Sequence, residues 1–137
     1  MTRFLAIILL LLTSATTQSA TLQVGAEQPE RYLPLLAGKK VGLVVNQTSR
    51  VKQTHLVDFL MSRNVAVQAV FAPEHGFRGK LGAGEKVTDG IDPKTGLPIR
   101  SLYGKYKKPD QAMLNDIDLL VFDIQDVGAR FYTYIST

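Results

Sequence analysis

The sequence predicts an α/β fold in which a parallel sheet is covered by helices on both faces. Three observations carry that expectation. Apolar runs of β-type residues are continuous rather than alternating, as in strands buried on both sides. Stretches with helical spacing separate those runs, and turn-forming Gly, Pro, Asn and Asp residues punctuate their ends. The length of 137 residues leaves room for one domain at most. A hydrophobic fraction of 45% with 20% charged residues is that of an ordinary globular chain, which argues against wholesale disorder.

The elements follow in chain order. Met1-Thr2-Arg3 is a short cationic start, residues 4–12 are an unbroken apolar run, and residues 13–20 are small and polar. That order matches a secretory signal peptide over 1–20, since the apolar run falls well short of the ~20 residues that span a bilayer. A retained anchor or a buried strand is the alternative. Cleavage after Ala20 or Ala15 fits, and the mature chain, 21–137, is expected to be exported to the periplasm or beyond, with no stable membrane insertion.

Residues 41–45 (VGLVV) read as a buried strand between Gly38 and Asn46. Leu56, Phe59, Leu60 and Arg63 then recur at helical spacing, Val57 widens their apolar face, and Thr54 is the expected N-cap. A second strand is expected over 65–71, stopped by Pro73. A glycine-rich stretch from Gly76 to Gly96 holds two turn signatures, Thr88-Asp89-Gly90 and Asp92-Pro93-Lys94-Thr95-Gly96. Residues 98–103 suit a short third strand, and Pro109 the first turn of a helix through about Asn115. Residues 119–122 (LLVF) are the clearest strand. Residues 129–137 look like the helix that follows it, with Phe131, Tyr132, Tyr134 and Ile135 in need of a partner surface. The sheet is therefore expected to be incomplete, the chain being the opening portion of a larger protein.

Composition narrows the chemistry. The formal charge is +4, too weak and too dispersed for a nucleic-acid partner without a basic stripe. Without cysteine there is no disulfide framework, thiolate metal site, cysteine nucleophile or lipid anchor on sulfur. Gly82-Ala83-Gly84 resembles half of a dinucleotide fingerprint but lacks the third glycine and the preceding strand, and no phosphate-binding loop pattern occurs. No cofactor is expected. Lys105, Lys107 and Lys108 around Tyr106 form a small basic cluster, read as a solvated loop or as an attraction to anionic polymer.

In a parallel sheet, ligands sit beyond the carboxyl ends of the strands. The residues there are Asn46, Glu74 and His75, Tyr103, and Asp123 to Asp126. Within Phe71-Ala72-Pro73-Glu74-His75-Gly76-Phe77-Arg78-Gly79 a strand delivers a carboxylate and an imidazole into a loop. Glu74 could act as acid or nucleophile in glycosyl transfer, where two carboxylates flank the scissile bond; an ion pair with Arg78 is the plainer reading. Glu85 is a second carboxylate on a loop, otherwise simply solvated. Asn46-Gln47-Thr48 matches a glycosylation sequon, but its place at a strand end favours a site amide. In the polar and aromatic run from Asp123 to Tyr134, amide, carboxylate and guanidinium groups could bind sugar hydroxyls and tyrosine faces could stack on a ring. The alternative has Asp123 capping a helix and the aromatics in the core. Glu74, His75, Asp123 and Asp126 could instead hold a metal, without any His-x-His or His-Glu-x-x-His spacing in support.

Together these stretches resemble one bacterial family, the exo-β-N-acetylmuramidases of the NamZ type. The matching segments are 42–48, Pro73-Glu74-His75-Gly76-Phe77-Arg78-Gly79, Ala83-Gly84-Glu85, Asp92-Pro93-Lys94-Thr95-Gly96-Leu97-Pro98, Ser101-Leu102-Tyr103-Gly104 and 121–137. The resemblance implies a Rossmann-like domain joined to a smaller C-terminal domain. It also implies a glycoside hydrolase that removes terminal N-acetylmuramic acid from peptidoglycan fragments. Carried over, Glu74 is the catalytic glutamate and Glu85 the candidate second carboxylate, with Asn46, His75, Arg78, Gln125, Asp126 and Arg130 lining the cleft. No metal is implied. Because the family is longer than this sequence, little turnover is expected from the chain by itself. Two further readings stay open: a module that binds peptidoglycan sugars without cleaving them, and a metal-dependent hydrolase.

Overall fold

The structure, a computed structural model, describes residues 22–80, 82, 85, 87–129 and 134–136. The expected signal peptide, Arg130 and most of the expected last helix lie outside them. Five strands form one sheet: β1 (Val41–Val45), β4 (Val67–Ala72), β5 (Gly90–Ile91), β6 (Pro98–Ser101) and β7 (Leu119–Asp123), in the order β5-β6-β4-β1-β7. Pairs β1–β4, β1–β7 and β4–β6 are parallel, and the short β5 runs antiparallel to β6, so the sheet is mixed rather than purely parallel. The expected α/β architecture is present.

Side chains alternate across β1 and fix the two layers. Val41, Leu43 and Val45 join Leu36 of α1 (Pro29–Leu36) and Leu56, Val57 and Leu60 of α2 (Leu56–Ser62) in the larger core. Val44 packs on the other face with Ala69, Phe71 and Leu102, against Met113 and Leu114 of α3 (Gln111–Leu114). Gly42 shares that second face. A Cβ there would lie 2.7 Å from Leu120 Cδ2 and 3.0 Å from Phe71 Cε2, so a bare backbone is what lets these chains close over the sheet.

Several expectations are corrected locally. α1 is unannounced by its sequence, because Pro34 sits inside it; Pro29 at its first turn supplies a preset φ. Thr54 is not the cap of α2. It pairs with Val51 in a two-residue hairpin of β2 (Arg50–Val51) and β3 (Thr54–His55), turned at Lys52 with φ 53°, and His55 caps the helix instead. The third helix starts after Pro109, with Asp110 Oδ1 accepting from the Met113 N–H at 2.9 Å. β7 is not covered on both faces among the described residues: it borders only β1, and Leu120 and Phe122 are 41% and 47% exposed. Of the expected last helix, Tyr134–Ser136 form a single 3₁₀ turn.

Candidate functional site

The sheet order places the site. The chain leaves β1 for β4 and β6 on one side, then crosses back to β7 on the other. The crevice of such a sheet opens where those directions diverge, beyond the carboxyl ends of β1 and β7. There a cavity of about 250 Å³ is lined by Asn46, Thr48, His75, Gly79, Gln125 and Tyr134, with Gln47 and Val127 completing it. That volume equals roughly eight waters, the scale of one sugar ring.

The two strand exits are sewn together across this crevice. Asn46 is 1% exposed, and its Oδ1 accepts from Thr48 N at 2.9 Å and from Thr48 Oγ1 at 2.7 Å. This turn after β1 is held by its own first side chain. Thr48 Oγ1 in turn accepts the Gln125 N–H at 3.0 Å, and Ser49 Oγ donates to the Asp123 carbonyl. Asn46 is thus a buried structural amide lining the crevice, inaccessible as a glycan acceptor.

Beyond β4, the Gly76 N–H donates to the Pro73 carbonyl at 3.0 Å, closing a four-residue turn with Glu74 and His75 at its corner. His75 holds φ at 68°, a left-handed conformation that costs a side chain about 1–2 kcal/mol. Strain of this kind gathers at functional sites. Glu74 is half-buried and is hydrogen-bonded by the Tyr103 phenol, whose proton is held more tightly than usual by that bond and by the carboxylate charge. The loop then presses on the β1 exit: Gly79 has φ 64°, and a Cβ on it would stand 2.8 Å from Gln47 Cβ. Only glycine fits there without displacing a crevice wall.

Arg78 does not pair with Glu74. Its guanidinium bridges Asp58 on α2 and Asp92 in the β5–β6 turn, two hydrogen bonds to each at 2.6–3.2 Å, and lies 4.6 Å from the Phe77 ring centroid. The hydrogen bond from Arg78 outweighs burial and pulls the Asp92 carboxyl down to about 2. At Asp58, burial works upward, but hydrogen bonds from Arg78 and Lys94 prevail and hold it below its ordinary value.

His55, which the sequence reading passed over, connects all of this. Its Nδ1 accepts the Val57 N–H at 3.2 Å as the cap of α2. Nε2 lies 2.9 Å from the Asn46 carbonyl and 3.0 Å from the Phe77 carbonyl, so these partners assign the proton to Nε2. One neutral imidazole therefore fixes the β1 exit, the Glu74 loop and a helix start. Burial depresses its pKa from 6.5. A base with a lowered folded pKa binds fewer protons folded than unfolded, so its contribution is intact above pH ~6.5 and lost as pH falls below that value. His55→Ala is expected to cost about 2–4 kcal/mol in chemical denaturation at pH 7.5 and to remove the slope of stability near pH 6. An unchanged midpoint would contradict this role. A buried, doubly partnered histidine leaves no mark in local sequence; the polar Thr-His before an apolar helix start was the available signal.

The remaining candidates lie apart. Glu85 is exposed and folds back on Gly82, and it does not line the crevice. Asp126 accepts from the Gly128 N–H at 2.8 Å in a turn of its own, exposed behind Gln125. Asp123 caps no described helix; it borders an apolar hollow of about 400 Å³ between α1, α2 and β7. Burial raises its pKa, and its buried Oδ2 has no described hydrogen-bond partner. Among the described residues, no three His, Asp or Glu side chains converge as a metal site. In the basic cluster, Lys105 stands over Tyr106 and Lys107 over Tyr103, at 4.9 and 5.1 Å, so two of its lysines are stacked rather than simply solvated.

Comparison with known proteins places this geometry in a lineage. Peptidoglycan beta-N-acetylmuramidase NamZ of Bacillus subtilis (strain 168) is 49% identical over 108 residues, which are 77% of this chain and 26% of that protein. Two crystal structures of DUF1343 family proteins from Bacteroides fragilis NCTC 9343 superpose with a TM-score of 0.67 each. They are 47% and 46% identical, covering 82% and 78% of this chain but 28% and 27% of theirs. The chain thus spans about a quarter of the length of the relatives it matches. The family model described as exo-beta-N-acetylmuramidase NamZ, N-terminal, matches residues 41–137, the β1 to β7 sheet and its site included, and the chain belongs to that family.

Proposed function

We propose that this chain carries the sugar-binding crevice and one catalytic carboxylate of an exo-β-N-acetylmuramidase. The reaction releases terminal N-acetylmuramic acid from peptidoglycan fragments. The observation that carries the reading is the strained Glu74-His75 corner beside a sugar-sized crevice at the divergence of β1 and β7. Glu74 is the reacting acid, oriented by Tyr103, while Gln125 and Tyr134 hold the ring in a crevice whose wall Asn46 fixes from within. The B. subtilis relative's name supports the substrate class. Residues 1–20 serve as the export signal, and the protein works in the periplasm or outside the cell on cell-wall saccharides.

Glycoside hydrolysis needs two carboxylates about the scissile bond. Among the described residues no carboxylate lines the crevice wall itself: Glu74 stands next to it, on the same corner as His75, which does line it, and no second carboxylate joins it there. This favours a division of labour in which the present span binds sugar and supplies Glu74, and the partner carboxylate comes from the remaining length of the family. The test replaces the matching quarter of the B. subtilis enzyme with this chain and assays an aryl β-N-acetylmuraminide. The chimera should turn over, whereas the 137-residue chain alone should bind N-acetylmuramic acid without cleaving its glycoside. An inert chimera with intact folding would sink the proposal.

A further inference from the structure

Beside the crevice lies a second hollow of about 410 Å³, part of whose lining, Arg50 and Lys80 included, falls outside the matched motifs. The two cavities share Gln47 as a wall, and Gly79 of the first is followed directly by Lys80 of the second. Four cationic side chains, Arg50, Arg78, Lys80 and Lys94, face this hollow against a single acid, Asp58. Arg78 and Lys94 are already bound to Asp58, and Arg78 also to Asp92 behind it. Arg50 and Lys80 are exposed and have no carboxylate partner among the described residues; the Arg50 guanidinium donates to the Gln53 carbonyl within its own hairpin. The ion-paired floor is rigid, and the uncompensated charge sits on the rim.

We infer that this basin is a carboxylate subsite: Arg50 and Lys80 take the acid group of a saccharide whose ring occupies the neighbouring crevice. The inference rests on the proposed function for the ring. It adds the element that distinguishes an acidic amino sugar from a neutral one. An exposed ammonium and a guanidinium attract a carboxylate at long range, with a dependence on ionic strength that neutral sugar contacts lack. The acid could be the lactyl group of muramic acid itself or a carboxylate on an attached peptide, since either projects from the ring as an extended anionic arm.

The experiment measures binding to the full 137-residue chain by calorimetry and by shifts of labelled amides. The probes are N-acetylmuramic acid, its lactyl carboxamide, N-acetylglucosamine and N-acetylmuramyl dipeptide. At low salt the free acid should bind about tenfold more tightly than the carboxamide, with the gap closing as salt rises. Arg50→Met with Lys80→Met should abolish the gap while leaving carboxamide and N-acetylglucosamine affinities and the melting temperature unchanged. Preference for the dipeptide over the free acid assigns the subsite to the peptide arm; the reverse assigns it to the lactyl group. A gap or a dipeptide preference that survives in the double variant, or a parent that shows neither, overturns the subsite while binding of the neutral sugars preserves the crevice reading. Absence of binding by all four probes overturns both.

Discussion

Glu74→Gln in the chimeric enzyme is expected to lower kcat by about 10²–10⁴-fold while leaving saccharide affinity within about twofold. The size follows from what the substitution removes. Glutamine keeps the side chain's shape, and its carboxamide oxygen still accepts from the Tyr103 phenol, so the corner at Pro73 to Gly76 has no reason to rearrange. What disappears is the capacity to give a proton or attack a sugar carbon. A loss confined to kcat therefore reports an interaction made in the transition state alone. Loss of both binding and turnover would point to a structural glutamate, and turnover within threefold of the parent would remove Glu74 from the chemistry. Glu85→Gln is the matched control: an exposed carboxylate folded on Gly82 should leave kcat within about twofold.

The particular residues show which parts of this molecule a sequence can disclose. The runs at 41–45 and 119–122 read correctly as strands because each is continuously apolar and bounded by turn residues, and local composition suffices for that. The crevice was legible as far as its strand ends, since Asn46, His75 and Gln125 line it where a parallel sheet places them, with Glu74 on the corner beside it. Partnerships were not legible. Arg78 lies four residues from Glu74 yet reaches Asp58 and Asp92, 20 and 14 residues away, because α2 and the β5–β6 turn are brought together only by the folded sheet. His55 was hidden for the same reason: its three partners are a helix start and two carbonyls from separate loops. The β2–β3 hairpin and α1 escaped notice because two-residue polar strands and a proline-bearing helix have no periodicity to detect.

That hidden cluster yields the other large effect. Arg78→Met is expected to cost about 3–5 kcal/mol of stability at pH 7, a drop in melting temperature on the order of 15 °C or more. The reason is not the strength of the ion pair but what its loss leaves behind. Asp92 has a side chain only 2% exposed and Asp58 one 14% exposed, and Asp92 would keep only Thr95 as a hydrogen-bond donor. Lysine at 78 would not restore the cluster, since one ammonium cannot present paired donors to two carboxylates at once. Acid titration supplies the decisive contrast. In the parent, the folded Asp92 pKa of about 2 lies below its unfolded value of 3.8, so the unfolded chain binds protons first. Stability is full above pH ~4 and drains away as pH falls toward 2, with Asp58 adding in the same direction. In Arg78→Met the guanidinium's pull is gone, burial is opposed only by the two Thr95 hydrogen bonds, and the folded pKa of Asp92 moves up toward the unfolded one, so the loss of stability between pH 4 and 2 should flatten in the variant. Parallel stability curves for the two proteins across that range would mean that Asp92 does not depend on Arg78 for its charge, and the rigid floor argued for the cationic basin would go with it.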